Sequence, residues 1–174
     1  MTLPQPFRTT VRRAIPAAAR AIAMGIATFC LTPTMAQAQA TAPTGCTGTP
    51  SATWLNVVVD GVRDDSGLVA ITLYADDSSK FLIKHGSLYV GRVDARSGIT
   101  RGCIFVPKPG VYALALYHDT NANRSFDRTS LGLPAEGFGF SNNPATLAGL
   151  PSFKSVRIAV PKPGLTTHIT MKYP

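Results

Sequence analysis

From Thr53 onward the chain is a succession of short runs with apolar residues at every second position, and that period commits it to sheets. "TWLNVVVD" sets Leu55, Val57 and Val59 against Asn56 and Asp60, and "GLVAITLY" repeats the pattern with Val69, Ile71 and Leu73. "RGCIFV", "VYALALY", "KSVRIAV" and "HITMKY" follow, with "LYVGRV" a weaker candidate, so six or seven strands are expected. The turn residues of "DGVRDDSG" join the first two runs as a hairpin. "DDSSKFLIKHG" reads as one short helix, capped by Asp76 or Asp77 and closed by Gly86. No helical stretch is long enough for a βαβ unit, so the expected fold is all-β, a single-domain, two-layer antiparallel sandwich.

"VPKPG" occurs twice, at 106–110 and 160–164, each time between one strand and the next. Pro109-Gly110 and Pro163-Gly164 suit the two central positions of a type II turn, which splays strands instead of pairing them. Both copies are therefore expected to arch between sheets.

Residues 1–40 read as an address. Arg8, Arg12, Arg13 and Arg20 precede an apolar run from Ala21 to Leu31, and "MAQAQA" offers small-x-small cleavage sites after Ala38 or Ala40. The run falls short of the roughly 20 residues a membrane anchor needs. The reading is a cleaved export signal, a periplasmic or secreted mature chain, no transmembrane segment after cleavage, a linker at 41–52 and a sandwich at 53–174. Cys30 leaves with the leader. Of 17 Lys and Arg, four go with it, so 13 face nine acids and the formal charge falls from +8 to about +4. These charges are scattered singly, whereas nucleic-acid binding needs cations clustered on one face. Nucleic acid is excluded as a partner. In an oxidising compartment the two remaining cysteines, Cys46 and Cys103, are expected to form a disulfide.

The 34 residues from Asp119 to Ser152 show no convincing strand. Structureless loops beyond about 12–15 residues are usually functional or disordered. This one carries Phe126, Leu131, Leu133, Phe138 and Phe140, too much apolar surface to leave in water, so it is expected to be ordered across one end of the sandwich. Its first part places Asp119, Asn121, Asn123, Ser125 and Asp127 at positions 1, 3, 5, 7 and 9 of a calcium-type loop. Calcium is the one cofactor this spacing suggests. Against it, Arg124 stands where glycine makes the sharp turn, and Ser130 stands where a bidentate glutamate closes the site. The competing reading is an Asx-rich turn bonded to its own backbone. The second part, "PAEGFGFSNN", makes Glu136, Phe138, Phe140, Asn142 and Asn143 candidates for a sugar- or peptide-binding surface. The competing reading there is a core plug with both rings inward.

"YHDTNANRSFD", "LGLPAEGFGFSNNP" and "PSF" resemble the bacterial domain of unknown function numbered 2141, and the likeness runs from "LNVVVDGVR" to "ITMKY". The resemblance implies an exported β-sandwich and no assigned activity. Such proteins often carry glycine where this chain has Ala122 and Arg124. The first loop is also similar to calcium loops in B-type repeats of surface adhesins. Transthyretin-like and B-type-repeat-like sandwiches are both compatible forms.

Catalytic chemistry is hard to find. His85, His118 and His168 are far apart, with no zinc spacing, and neither a Gly-x-Ser-x-Gly elbow nor a phosphate loop occurs. The leading expectation is a non-catalytic envelope module that binds a ligand or protein partner through the 119–152 loop. The alternatives are a small hydrolase using His118, Asp119, Asp127 or Glu136, and a purely structural component. An enzyme needs those side chains converging in an open cleft, whereas a structural loop points them at its own backbone.

Overall fold

The computed structural model describes residues 41–174; the leader read in residues 1–40 lies outside them. The strands are β1 (Thr53–Val62), β2 (Leu68–Ala75), β3 (Tyr89–Asp94), β4 (Gly98–Val106), β5 (Gly110–Asp119), β6 (Gly137–Phe140), β7 (Arg157–Val160) and β8 (Leu165–Thr170), with one helical turn, α1 (Phe153–Val156), before β7. They stack as the expected all-β sandwich. One sheet has the order β4-β1-β8; the other has the order β3-β2-β5-β6, with β7 also paired to β5.

Two pairings differ from expectation. β1 and β2 are not a hairpin: β1 pairs with β4 and β8, and β2 with β3 and β5. The inner rows Leu55-Val57-Val59 and Val69-Ile71-Leu73 belong to one buried core and are stacked face to face across it, an arrangement a hairpin cannot give. Gly61 and Gly67, at φ 74° and 67°, swing the chain between the layers. The second difference is that β1 and β8 run parallel. The chain enters β8 by crossing from the other sheet, a connection that does not oblige neighbouring strands to oppose one another. Both "VPKPG" arches cross between the layers as expected, β4 to β5 and β7 to β8. Gly164 takes the left-handed φ of 75°, while Gly110 instead opens β5.

The short helix expected at 76–86 is a chain of turns. Asp77 accepts hydrogen bonds from both the main-chain N–H and the hydroxyl of Ser79, at 2.9 and 2.7 Å, which draws the chain into a local turn. Leu82 and His85 then adopt φ of 57° and 60°, incompatible with a continuing helix. The turns place Phe81 against Tyr74, with ring centroids 5.1 Å apart, and against Phe153 at 5.5 Å.

A strand also forms inside the segment expected to lack one. β6 is the Gly-Phe-Gly-Phe run itself, paired antiparallel with the second half of β5. Its glycines face the core: a Cβ on Gly137 would lie 2.3 Å from the Tyr173 ring, and one on Gly139 would lie 2.8 Å from Ile169. β7 takes the first half of the same β5 edge. Ser141 fills the junction. Its main-chain N–H donates to the Leu114 carbonyl at 3.1 Å, its hydroxyl oxygen accepts the Leu114 N–H at 3.0 Å, and its O–H donates to the Val156 carbonyl.

Beyond β8, Lys172 exchanges two main-chain hydrogen bonds with Phe138, at 2.8 and 2.9 Å, so the three-stranded sheet hands its chain to the five-stranded one. On β4, Thr47 donates to the Cys103 carbonyl and accepts from Phe105, both at 2.9 Å. Part of the expected linker therefore protects a sheet edge. Next to it, Cys46 and Cys103 are joined by a disulfide spanning 57 residues. Loop closure of that length is worth about 4 kcal/mol. Replacing both cysteines by serine is expected to lower the unfolding free energy by about that amount, measured by denaturant unfolding with a steeper slope as the freed unfolded chain expands.

Candidate functional site

The outer face of the five-stranded sheet is laid out in cross-strand rows. One row runs Arg92, Ala70, Tyr117, Phe138, and the next runs Val90, Thr72, Ala115, Phe140. Tyr74 and Ala113 follow, with Arg157 of β7 beside Ala113. Small side chains at Thr72 and Ala115 lie between large rings on both sides, and the face is concave as a result. Two loops raise its walls. The 76–88 turns contribute Leu82, Ile83 and Lys84; the 119–136 loop contributes Ser125, Phe126 and Arg128; Gly149 and Leu150 close a third side. The groove so enclosed measures about 470 Å³, within the range of small-molecule sites.

Each wall is fixed by charge. At the foot of the first, Arg157 forks onto Asp76 with two 2.6 Å hydrogen bonds. That guanidinium holds the Asp76 carboxyl below the ordinary aspartate range. In the second wall Phe126 packs on Tyr117 at 5.5 Å and lies beneath the Arg128 guanidinium at 5.0 Å. Burial raises the Tyr117 phenol, while Arg92 beside it acts in the opposite direction.

The loop behind that wall gathers the expected metal-type residues, and it holds itself together. Fully buried Asp119 accepts the main-chain N–H groups of Asn123 at 2.9 Å and Arg124 at 2.7 Å. Asn121 and Asn123 direct their side-chain amides to Asp127, at 2.9 to 3.1 Å. Asn123 accepts the Ser125 N–H at 2.8 Å, and the Ser125 side chain belongs to the groove wall instead. Glu136, 6% exposed, clasps both ends by accepting the N–H of Thr120 at 3.3 Å and of Asp127 at 3.0 Å. Burial raises its carboxyl, opposed by those two donors and reinforced by the neighbouring Asp127 and Asp119 charges. Ala122 and Arg124 sit at φ 56° and 64°, the left-handed region in which glycine is the unstrained choice. In this arrangement the side-chain N–H groups of Asn121 and Asn123, not their carbonyl oxygens, face Asp127, and the loop closes on its own hydrogen bonds.

Asn142 and Asn143 are also spent on the fold. Asn142 donates to the carbonyls of Ser155 and Arg157 at 3.1 and 2.7 Å. Asn143 donates to the His168 carbonyl at 3.2 Å and accepts the Thr170 N–H at 2.8 Å, tying the two sheets together. Of the residues proposed for the ligand surface, Phe138 and Phe140 line the groove, whereas Glu136, Asn142 and Asn143 hold main chain. Ser125 joins them from the metal-type set. The rest of the lining was not anticipated. The available signal was that β2 and β5 carry Ala70, Tyr74, Ala113, Ala115 and Tyr117 on the face opposite their aliphatic rows, too apolar for a bare outer surface.

His118 does not meet the carboxylates in a cleft. It is fully buried on the core side of β5. Tyr173 accepts the Arg63 N–H at 2.8 Å, leaving its own O–H to donate to His118 Nδ1 at 2.8 Å. Nε2 then carries the proton donated to the Ser66 carbonyl, also at 2.8 Å.

These features define a class: a β-sandwich with a groove on one outer face, walled by two loops, one self-bonded and one tied to β7. The chain belongs to a family described as uncharacterized proteins conserved in bacteria, the domain of unknown function DUF2141, whose model matches residues 57–168. Neither a curated protein nor a solved structure matches it. Among the described residues no helix is long and apolar enough to cross a membrane.

The Asp76–Arg157 fork gives a pH-dependent prediction. Because the folded-state pKa of Asp76 is depressed, its contribution is complete above the ordinary value of 3.8 and is lost as pH falls through the lower folded value. Asp76→Asn should be less stable than wild type near neutrality. That gap should close as the pH is taken below about 3.8, as measured by urea unfolding at stepped pH.

Proposed function

We propose that this protein is an exported, non-catalytic binding module of the bacterial envelope, which takes its ligand in the groove on the outer face of β2, β5 and β6. The observation that carries the reading is the groove's construction. Among the described residues, a sheet face of alanine, threonine and aromatic side chains stays uncovered in the middle and is walled by loops, one held by its own hydrogen bonds and one tied to β7 through Asp76 and Arg157. Apolar concavity with a few polar groups at the margin is the usual character of a ligand site. The basic, apolar leader of residues 1–40 and the disulfide support an oxidising compartment. The hydrolase alternative is disfavoured because His118 has both ring nitrogens engaged in the core, and Asp119 and Glu136 accept hydrogen bonds from the loop's own backbone.

A neutral apolar fluorophore such as phenylnaphthylamine should bind the mature protein at one site per chain. Ser125→Trp, which fills the mouth, should abolish that binding while leaving the melting temperature near wild type. Undiminished binding in this variant would overturn the reading.

Calcium has a separate test. A cation in the 119–127 loop requires both asparagine amides to turn over and surrender their bonds to Asp127. Thermal unfolding in EDTA and in millimolar calcium should therefore give the same melting temperature. A clear rise with calcium that disappears in Asp119→Ala would establish a cation site.

A further inference from the structure

We propose that the groove selects an anionic amphiphile: a small molecule with an aromatic or aliphatic body and one carboxylate, sulfonate or phosphate head. This rests on the groove being the binding site, and it adds the chemical class of what enters. Among the described residues two charged ones, Lys84 and Arg128, line the groove, one on each loop wall, and no acid does. The nearby carboxylates are engaged elsewhere: Asp76 on Arg157, and Asp119, Asp127 and Glu136 on the N–H groups of their own loop. Lys84 is displayed at the groove and Arg128 lies over Phe126 with one N–H on the Gly132 carbonyl, both keeping positive charge at the lining while the nearby anions are withdrawn. A floor of rings and small apolar side chains between two cations matches a ligand that is greasy along its length and negative at one end.

A third cation supports the assignment. Arg92 stands in the same cross-strand row as Tyr117 and Phe138. Its Nη2 makes only a long 3.4 Å hydrogen bond, to the Arg124 carbonyl, and its Nε is the one buried side-chain nitrogen or oxygen left without a partner among the described residues. Arg92 stands behind the groove lining, where its charge adds to the positive potential at that end of the sheet face without touching a ligand.

Two probes with one body separate the claims. Anilinonaphthalene sulfonate and phenylnaphthylamine share the fused aromatic rings and differ in the sulfonate, so titrating both against the mature, disulfide-bonded protein isolates the charge. Wild type is expected to bind the sulfonate about tenfold more tightly, the size of two partly exposed ion pairs. Lys84→Gln with Arg128→Gln should erase that preference, bringing the ratio of the two affinities to about one. Lys84→Gln alone, at an exposed position, should lose part of it, which guards against a loop disturbed by replacing Arg128. Equal wild-type affinities for the two probes, or a preference that survives in the double variant, would overturn the anionic assignment while leaving the groove reading intact. If the neutral probe itself fails to bind, or persists in Ser125→Trp, it is the groove reading that falls.

Discussion

The fold depends on how one edge of β5 is satisfied. This strand runs for ten residues through the middle of its sheet, and β2 covers one side of it along most of that length. No single strand covers the other side. β6 supplies four residues, β7 supplies another four, and the gap at Leu114 is closed by Ser141 with its main-chain N–H and its hydroxyl. Unpaired main-chain groups at this depth would be costly, so the two short strands and the serine between them form one requirement. The binding face follows from it. Once β6 is laid along β5, Phe138 and Phe140 continue the rows begun by Tyr117 and Ala115, and the turns around Phe81 gain a surface to pack on.

The two loops use polar chemistry in opposite senses. In the 119–136 loop the carboxylates turn inward and act as acceptors for the main chain, replacing the strand partners that the loop lacks. At the groove the side chains left facing outward are Lys84 and Arg128. An acidic segment with oxygen side chains at every second residue thus builds a wall whose exposed charge is positive. Ala122 and Arg124, held in left-handed conformations, are the strained points of that construction, compensated by the two hydrogen bonds that Asp119 accepts.

Much of this was legible in the sequence. The strands with clean alternation, such as 53–60 and 68–74, announce themselves because burial on one face imposes a period of two. The arches at "VPKPG" follow from proline and glycine geometry, and the disulfide from the even pair of cysteines left in a chain read as exported. Partner choice is a different kind of information. Whether β1 lies beside β2 or across from it depends on which apolar rows stack best, and turn residues alone do not encode that. β6 escaped notice because half of its residues are glycine, which carries no strand preference; its extended form is imposed by the β5 edge and by Tyr173 and Ile169 pressing close. The groove was half visible, through Phe138 and Phe140. Its other lining residues come from five further segments, and only the tertiary fold assembles them. The asparagines 142 and 143 were readable as polar and exposed, but their hydrogen-bond partners lie 13 to 27 residues away.

The alternation in β6 has a further consequence. A strand sliding by one residue against its neighbour presents its opposite face, and in most sheets only the loss of hydrophobic burial opposes that error. Here, a slip of β6 would drive the phenylalanine rings toward Tyr173 and Ile169, where even a single methyl group lacks room. The glycines therefore behave as a key cut for one lock position. The aromatic floor can face only outward, and the orientation of the groove is settled sterically before any ligand arrives.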